Sequence, residues 1–192
     1  MKAAVFLDRD GVLVEDSDLI IRPEQFRVLP AVPDALARLR RAGFALVVVS
    51  NQAVVARGLA TEEDVRRLNQ HLEGWLVEAG APRLEGWYFC PHHPSATLPA
   101  YRLDCDCRKP RPGMLRQAAR DLRLDLNASF MVGDRWTDVA AGVRAGCRTV
   151  LVQTGRHTAP PIETAEPIDP SIKLEFVCAD LAAAADWILG KR

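Results

Sequence analysis

Three features of the sequence predict an α/β fold with a doubly wound, mainly parallel sheet. Short apolar runs alternate with segments of helical periodicity along the chain, the pattern of successive βαβ units. The runs are mostly apolar rather than strictly alternating apolar and polar, as expected of strands buried on both faces. Three of the runs end in a single polar residue, Asp8, Ser50 or Asp134. Open α/β sheets bind ligands beyond the carboxyl ends of their strands, where strand order reverses, so three polar groups at three such ends predict one shared site.

The first predicted strand is 3–8 (AAVFLD), followed by 44–50 (FALVVVS), 84–89 (LEGWYF), 129–134 (SFMVGD), 148–152 (RTVLV) and 174–178 (LEFVC). Between the first two, residues 31–42 carry Val32, Leu36 and Leu39 at helical spacing and stop at Gly43, a C-cap residue. Thr61-Glu-Glu-Asp64 reads as a helix N-terminus with acidic residues in its first turn, opening a helix that runs to about 79. Further helices are predicted at 113–123, at 136–145 and in the alanine-rich stretch 180–189. Residues 156–171 hold Pro160, Pro161, Pro167 and Pro170 and read as a surface loop. With no internal repeat, the 192 residues are expected to form a single domain.

Composition narrows the functional classes. A 48% hydrophobic content supports a real core, and 25 basic residues balance 25 acidic ones. No global field therefore draws nucleic acid or membrane, and neither is an expected partner. No apolar run approaches the roughly 20 residues needed to cross a bilayer. The N-terminus, MKAAVFLD, meets an acidic residue almost at once and lacks a signal-peptide pattern. An odd count of five cysteines, Cys90, Cys105, Cys107, Cys147 and Cys178, argues against a disulfide framework. The expectation is a cytoplasmic protein, with Cys147 and Cys178 buried beside core strands and His71 and His157 on the surface.

Asp8 and Asp10 are separated by one residue, so an extended chain would point both side chains the same way. Close carboxylates repel, which favours a shared proton or a bound cation. A hard divalent ion with oxygen ligands, such as magnesium, suits them. Asp134 and Asp138 add two more at a predicted strand-to-helix turn. A carboxylate can attack phosphorus to give an aspartyl phosphate, while a second protonates the leaving oxygen and then activates water. Phosphoryl oxygens need positive charge and donors around them. Ser50, Lys109 and backbone N–H groups near Gly11 can supply these.

A second constellation is Cys90-Pro-His92 followed, after a loop, by Cys105-Asp-Cys107. Two closely spaced pairs of borderline or soft ligands fit a closed tetrahedral zinc site. Metal binding would hold a loop whose Pro, Ser and Thr residues cannot build a core. His93 competes with the favoured His92 as the nitrogen ligand.

These motifs together resemble the haloacid dehalogenase superfamily, over about residues 3–155. Asp8-Arg-Asp-Gly-Val12, Ser50 in VVVSNQ, Lys109 in CRKPRPG and Gly133-Asp134-Arg-Trp-Thr-Asp138 match its four motifs in order. The resemblance implies the corresponding fold, with Asp8 as nucleophile, Asp10 as acid/base, and Ser50 and Lys109 as phosphate ligands. Magnesium would be held by Asp8, Asp134 and the Asp10 backbone carbonyl, with Asp138 in support. An Asp at position 10 implies a phosphatase rather than a dehalogenase, and a non-catalytic module is disfavoured because Asp8, Asp10, Lys109 and Asp134 are all intact.

The stretches FLDRDG, NQ…ARG, CPHHP and CDCRKP are similar to a zinc-containing subgroup that holds heptose bisphosphate and histidinol-phosphate phosphatases. The subgroup's ligands carry over to Cys90, His92, Cys105 and Cys107, making the loop of about 90–107 a structural zinc loop. The substrate it implies is a phosphorylated sugar, foremost the 7-phosphate of D-glycero-D-manno-heptose 1,7-bisphosphate. Histidinol phosphate or a broader set of sugar and nucleotide phosphates are the alternatives. Where relatives typically carry Gly-Tyr-Val after the first motif, this chain has Asp16-Ser-Asp-Leu-Ile20, and Ala53 and Val54 replace a usual small pair. Candidate substrate contacts are Asp16, Asp18, Leu19, Asn51, Gln52, Ala53, Arg108 and Arg135. Arg108, at the end of the loop, is expected to clamp a substrate oxygen or second phosphate. The short spacing between the first and second motifs leaves no room for a large cap, and the enzyme is expected to act as a monomer.

Overall fold

The structure is a computed structural model that describes residues 1–17, 19–156 and 172–191. Asp18, His157 and nearly all of the predicted 156–171 loop lie outside the described residues. Six strands form one sheet: β1 (Ala4–Leu7), β2 (Ala45–Asn51), β3 (Gly86–Cys90), β4 (Phe130–Gly133), β5 (Arg148–Val152) and β6 (Phe176–Cys178). Their spatial order is β3-β2-β1-β4-β5-β6, and every pairing is parallel. Each predicted run is a strand, and the order reverses between β1 and β4. The crevice beyond their ends is the place where such sheets bind ligands.

Alternation along the strands splits the core in two. Val5, Leu7, Leu46, Val48, Val132 and Val150 face α1 (Val32–Arg41), α3 (Glu62–Glu78) and α6 (Leu181–Leu189). Ala4, Phe6, Ala45, Val47, Val49 and Met131 face α4 (Gly113–Leu122) and Ala141 of α5 (Trp136–Ala145). Helices on both faces explain why the central strands β1, β2 and β4 read as apolar runs. Thr61 caps α3 as expected: its hydroxyl accepts from Asp64 N, and the Asp64 carboxylate accepts from Thr61 N. Cys147 and Cys178 are buried, and His71 is exposed.

One helix was not expected. α2 (Ala53–Ala56) follows β2 after Gln52, where the sequence predicted no element. Among the described residues, the segment from β1 to β2 holds only a short 3-10 turn at Pro23–Gln25 and α1, so no large cap is evident there. No helix among the described residues is long and apolar enough to cross a membrane.

Candidate active site

Asp8 leaves the end of β1 with its N–H still donating to Val132 O at 3.0 Å, and Asp134 follows the last residue of β4. Sheet pairing thus sets two carboxylates side by side at the switch point. Gly11 lets them come together, for it has a φ of +83° and a Cβ there would lie 2.5 Å from Asp134 Cγ. Asp138 enters from the first turn of α5. Its Oδ2 accepts from Arg135 N at 3.0 Å, capping the helix, while its Oδ1 lies 2.6 Å from Lys109 Nζ. Lys109 Nζ also lies 3.0 Å from Asp8 Oδ1 and donates to Val49 O at 2.8 Å.

Asp8, Asp134 and Asp138 are buried and each offers an oxygen within 4.8 Å of the others. Burial, with further help from Asp138 and Asp10, raises the Asp8 carboxyl to about 6 against the pull of Lys109. Burial, then repulsion from Asp138 and Asp8, raises Asp134 to about 8. Burial alone would lower the Lys109 ammonium, but Asp138 and Asp8 outweigh it and leave it raised. One ammonium among three buried carboxylates leaves unbalanced negative charge. Asp134 Oδ1, moreover, is buried without a hydrogen-bond partner among the described residues. An all-oxygen, acidic donor set with an orphaned oxygen fits a hard divalent cation such as magnesium.

The structure corrects the expected geometry of Asp10. β1 ends at Leu7, and the chain turns instead of staying extended, so the Asp10 carboxylate does not join that three-carboxylate cluster. Both its oxygens face Arg9, whose Nε and Nη2 donate at 3.0 Å each. Asp134 precedes α5 and Asp138 lies in its first turn, so the two meet because the strand end and helix start converge. Arg9, buried at 1% exposure, carried no role in the sequence reading.

The candidate substrate contacts divide into two sets. Gln52 and Asn51 are committed to the protein itself. The Gln52 amide donates to Asp10 Oδ2 at 3.1 Å and Ser50 Oγ at 2.9 Å, and its carbonyl accepts from Arg9. Asn51 exchanges two 3.1 Å hydrogen bonds with the backbone of Lys109, tying the second motif to the third. Nearer the surface, Asp16 accepts from Arg135 Nη2 at 2.6 Å and lies 2.9 Å from Arg156 Nε. Leu19 packs beside Val54 and Val55, and Ala53 opens α2 beside them. Arg108 does not simply project outward, since its Nη1 donates to His92 O at 3.0 Å.

The segment after β5 was missed. Arg156 N donates to Asp134 Oδ2 at 2.7 Å, and a Cβ on Gly155 would meet that oxygen at 2.1 Å. Backbone donors of this kind leave no signature in sequence beyond the glycine.

Cys90, the last residue of β3, begins a separate cluster with His92, Cys105 and Cys107. Cys107 Sγ lies 3.1 Å from Cys90 Sγ, 3.3 Å from Cys105 Sγ and 3.4 Å from His92 Nδ1. All three thiols are free. Hydrogen bonding from Cys90 pulls the Cys107 thiol down to about 5, while the same pairing, then burial, pushes Cys90 up. Tetrahedral zinc–sulfur bonds of about 2.3 Å set sulfurs somewhat under 4 Å apart, so the donor set fits zinc. His93 lies outside this cluster: it is buried and its Nδ1 accepts from Ser95 N at 3.1 Å, bracing the loop.

Residues 106–184, which include Lys109, Asp134 and Asp138, match the HAD-hydrolase-like family model. The D-glycero-beta-D-manno-heptose-1,7-bisphosphate 7-phosphatase of Photorhabdus laumondii is 44% identical over 80% of this chain and 81% of its own. That of Yersinia pestis is 40% identical over 97% and 89%. The chain belongs to this family of haloacid dehalogenase-like phosphatases. Among solved structures, the D,D-heptose 1,7-bisphosphate phosphatase of B. bronchiseptica, complexed with magnesium and phosphate, matches with a TM-score of 0.81. It is 35% identical and the match covers 100% of both chains.

Proposed function

We propose that this chain, as one phosphatase domain, hydrolyses the 7-phosphate of D-glycero-β-D-manno-heptose 1,7-bisphosphate through an aspartyl phosphate on Asp8. The observation that carries the chemistry is the placement of Asp8 at the switch point, with one oxygen 3.0 Å from Lys109 Nζ and a buried acidic pair behind it. The substrate rests on relatives in two organisms that carry this activity in their names.

In the first step an Asp8 carboxylate oxygen bonds to phosphorus as the bond from phosphorus to the sugar oxygen breaks. Asp10, in its acid form, delivers a proton to that oxygen. In the second, Asp10 takes a proton from the water that attacks phosphorus. Phosphate leaves and the Asp8 carboxylate returns. Lys109 and Ser50 hold the phosphoryl oxygens and offset charge as it builds. Asp8, Asp134 and the Asp10 carbonyl would hold magnesium, with Asp138 in support, and the ion when bound supplies positive charge to the phosphoryl oxygens. Cys90, His92, Cys105 and Cys107 would hold a structural zinc, for which a reducing cytoplasm suits the free thiols. Asp16 with Arg135, and Leu19 with Ala53, would line the sugar side, and Arg108 stiffens the loop wall beside it.

Phosphate release measured on both heptose bisphosphate anomers, histidinol phosphate and a nucleotide panel tests the assignment. The β-anomer of the bisphosphate is expected to give the highest kcat/KM. A clear preference for histidinol phosphate would overturn the substrate and leave the aspartyl phosphate chemistry standing.

A further inference from the structure

We infer that Arg9 is a positioning residue that fixes the Asp10 carboxylate in the orientation from which it serves the leaving oxygen. The proposal rests on the reading of Asp10 as the acid of the first step. Arg9 is 1% exposed, among the largest fully buried side chains, and its guanidinium lies 5.4 Å from the centre of the Phe26 ring. Burying a guanidinium is unfavourable unless its N–H groups are paired, so its partners show what it is there to hold. Nε and Nη2 reach both Asp10 oxygens at 3.0 Å, Nη2 also donates to Gln52 Oε1 at 2.9 Å, and Nη1 donates to Asn69 Oδ1 at 3.1 Å. Asn69 belongs to α3 and Gln52 follows β2, so two separate parts of the fold aim the guanidinium.

The consequence falls on Asp10, whose side chain is 21% exposed and sits in a turn after β1. An Asp there would otherwise sample several rotamers. A planar fork that engages both oxygens selects one orientation, which a lysine ammonium cannot do. Gln52 extends the control, for its amide spans Asp10 Oδ2 and Ser50 Oγ, at 3.1 and 2.9 Å. The acid and a phosphate-binding hydroxyl are therefore kept in register by the same small network. A carboxylate offers about four lone-pair positions. Arg9 and Gln52 take up three on Asp10, so the network aims the carboxylate while leaving capacity at Oδ1.

This role predicts a split by leaving group. A sugar alkoxide is a poor leaving group and needs the proton from Asp10, whereas p-nitrophenolate departs without it. Loss of Asp10 orientation should therefore lower kcat/KM, which reports the step in which the leaving group departs, for the first kind of substrate and spare it for the second. A general loss of structure would lower both alike. The kcat value, which includes the attack of water aided by Asp10, can fall for both. The experiment measures kcat/KM for heptose bisphosphate and for p-nitrophenyl phosphate in Arg9→Met, Arg9→Lys, Asn69→Leu and Asp10→Asn, with melting curves for each. Arg9→Met should fall about 100-fold on the sugar phosphate, within the usual range for acid–base catalysis, and less than about fivefold on the aryl ester. Arg9→Lys should lie between it and wild type. Asn69→Leu, which touches Arg9 and no reacting atom, should shift the ratio in the same direction by less. Equal losses on the two substrates in the Arg9 and Asn69 variants, beside a clear split in Asp10→Asn, would overturn the role of Arg9. Absence of the split in Asp10→Asn itself would overturn the acid assignment and the proposal with it. If Arg9→Met does not fold, Arg9→Lys and Asn69→Leu decide the question by the same ratio.

Discussion

The carboxylate centre and the sulfur centre are both suited to metal, yet they are held in opposite ways. Asp8, Asp134 and Asp138 stand on ends of secondary structure, buried by helices on both faces of the sheet. The segment 91–107, between β3 and Lys109, has only a short 3-10 turn at Pro99–Tyr101 and is largely exposed. Core packing crowds three carboxylates together at the first centre and raises two of them, so a cation there would relieve repulsion the fold has already imposed. At the second, the loop is braced by hydrogen bonds, such as those to His92 O and His93 Nδ1, rather than by a core, and four ligands around an ion would do much of a core's work. A cation at the first centre would then serve chemistry and one at the second stability, and each proposed role can be broken separately.

The largest effect is expected from Asp8→Asn. The amide keeps the shape but cannot form the acyl phosphate, so kcat should fall at least about 10⁴-fold. The melting temperature should hold or rise, since one of the crowded carboxylates is gone. Residual activity within about tenfold of wild type, only about 1.4 kcal/mol of barrier, would refute the nucleophile. Cys105→Ser should show the reverse pattern. Stability should drop on the order of 3 kcal/mol, as for loss of a bound metal, and metal analysis should show less than the wild-type zinc content. At temperatures where the variant stays folded, its turnover should remain within a few fold. Zinc removal that erased turnover reversibly without moving the melting curve would make the sulfur centre catalytic and end the contrast.

The same contrast governs what the sequence made legible. Strand ends were readable because an apolar run stopping at one polar residue is a local pattern, and Asp8, Ser50 and Asp134 each carried it. The four zinc-type ligands were readable from spacing, and His92, the favoured histidine, is the one in the cluster, while His93 accepts from Ser95 N. Asp138 was assigned only a supporting part, although it caps α5 and touches Lys109. An acidic residue at a helix start reads as a cap, and its second contact comes from another part of the chain. Arg9 was opaque for the same reason. Its pocket is made by Phe26, Gln52 and Asn69, and nothing beside it in sequence distinguishes a buried arginine from a solvated one. The backbone donor at Arg156 was invisible because main-chain groups have no residue type.

The smallest expected effect concerns pH, and it sharpens the difference between the centres. Asp8 rises from 3.8 to about 6 and Asp134 from 3.8 to about 8 on folding, burial being the main cause in both. The folded chain therefore binds more protons than the unfolded chain between those limits, and stability falls as pH rises through them. Lys109 offsets part of this at Asp8, while Asp138 and Asp10 act in the opposite sense. Magnesium must displace those protons at low pH and finds the carboxylates more fully ionised at high pH. Without added divalent ion, the melting temperature should thus decline from pH 5 to pH 8. Added magnesium should restore more at pH 8 than at pH 5, with a ceiling of about 2.7 kcal/mol at a hundredfold excess over Kd. Cys105→Ser should start from a lower melting temperature yet show the same magnesium increment, because its defect lies in the loop. A magnesium increment equal at both pH values, or larger at pH 5, would mean that the buried carboxylates are not its site. An increment that vanished in Cys105→Ser would mean that the two centres are one coupled unit.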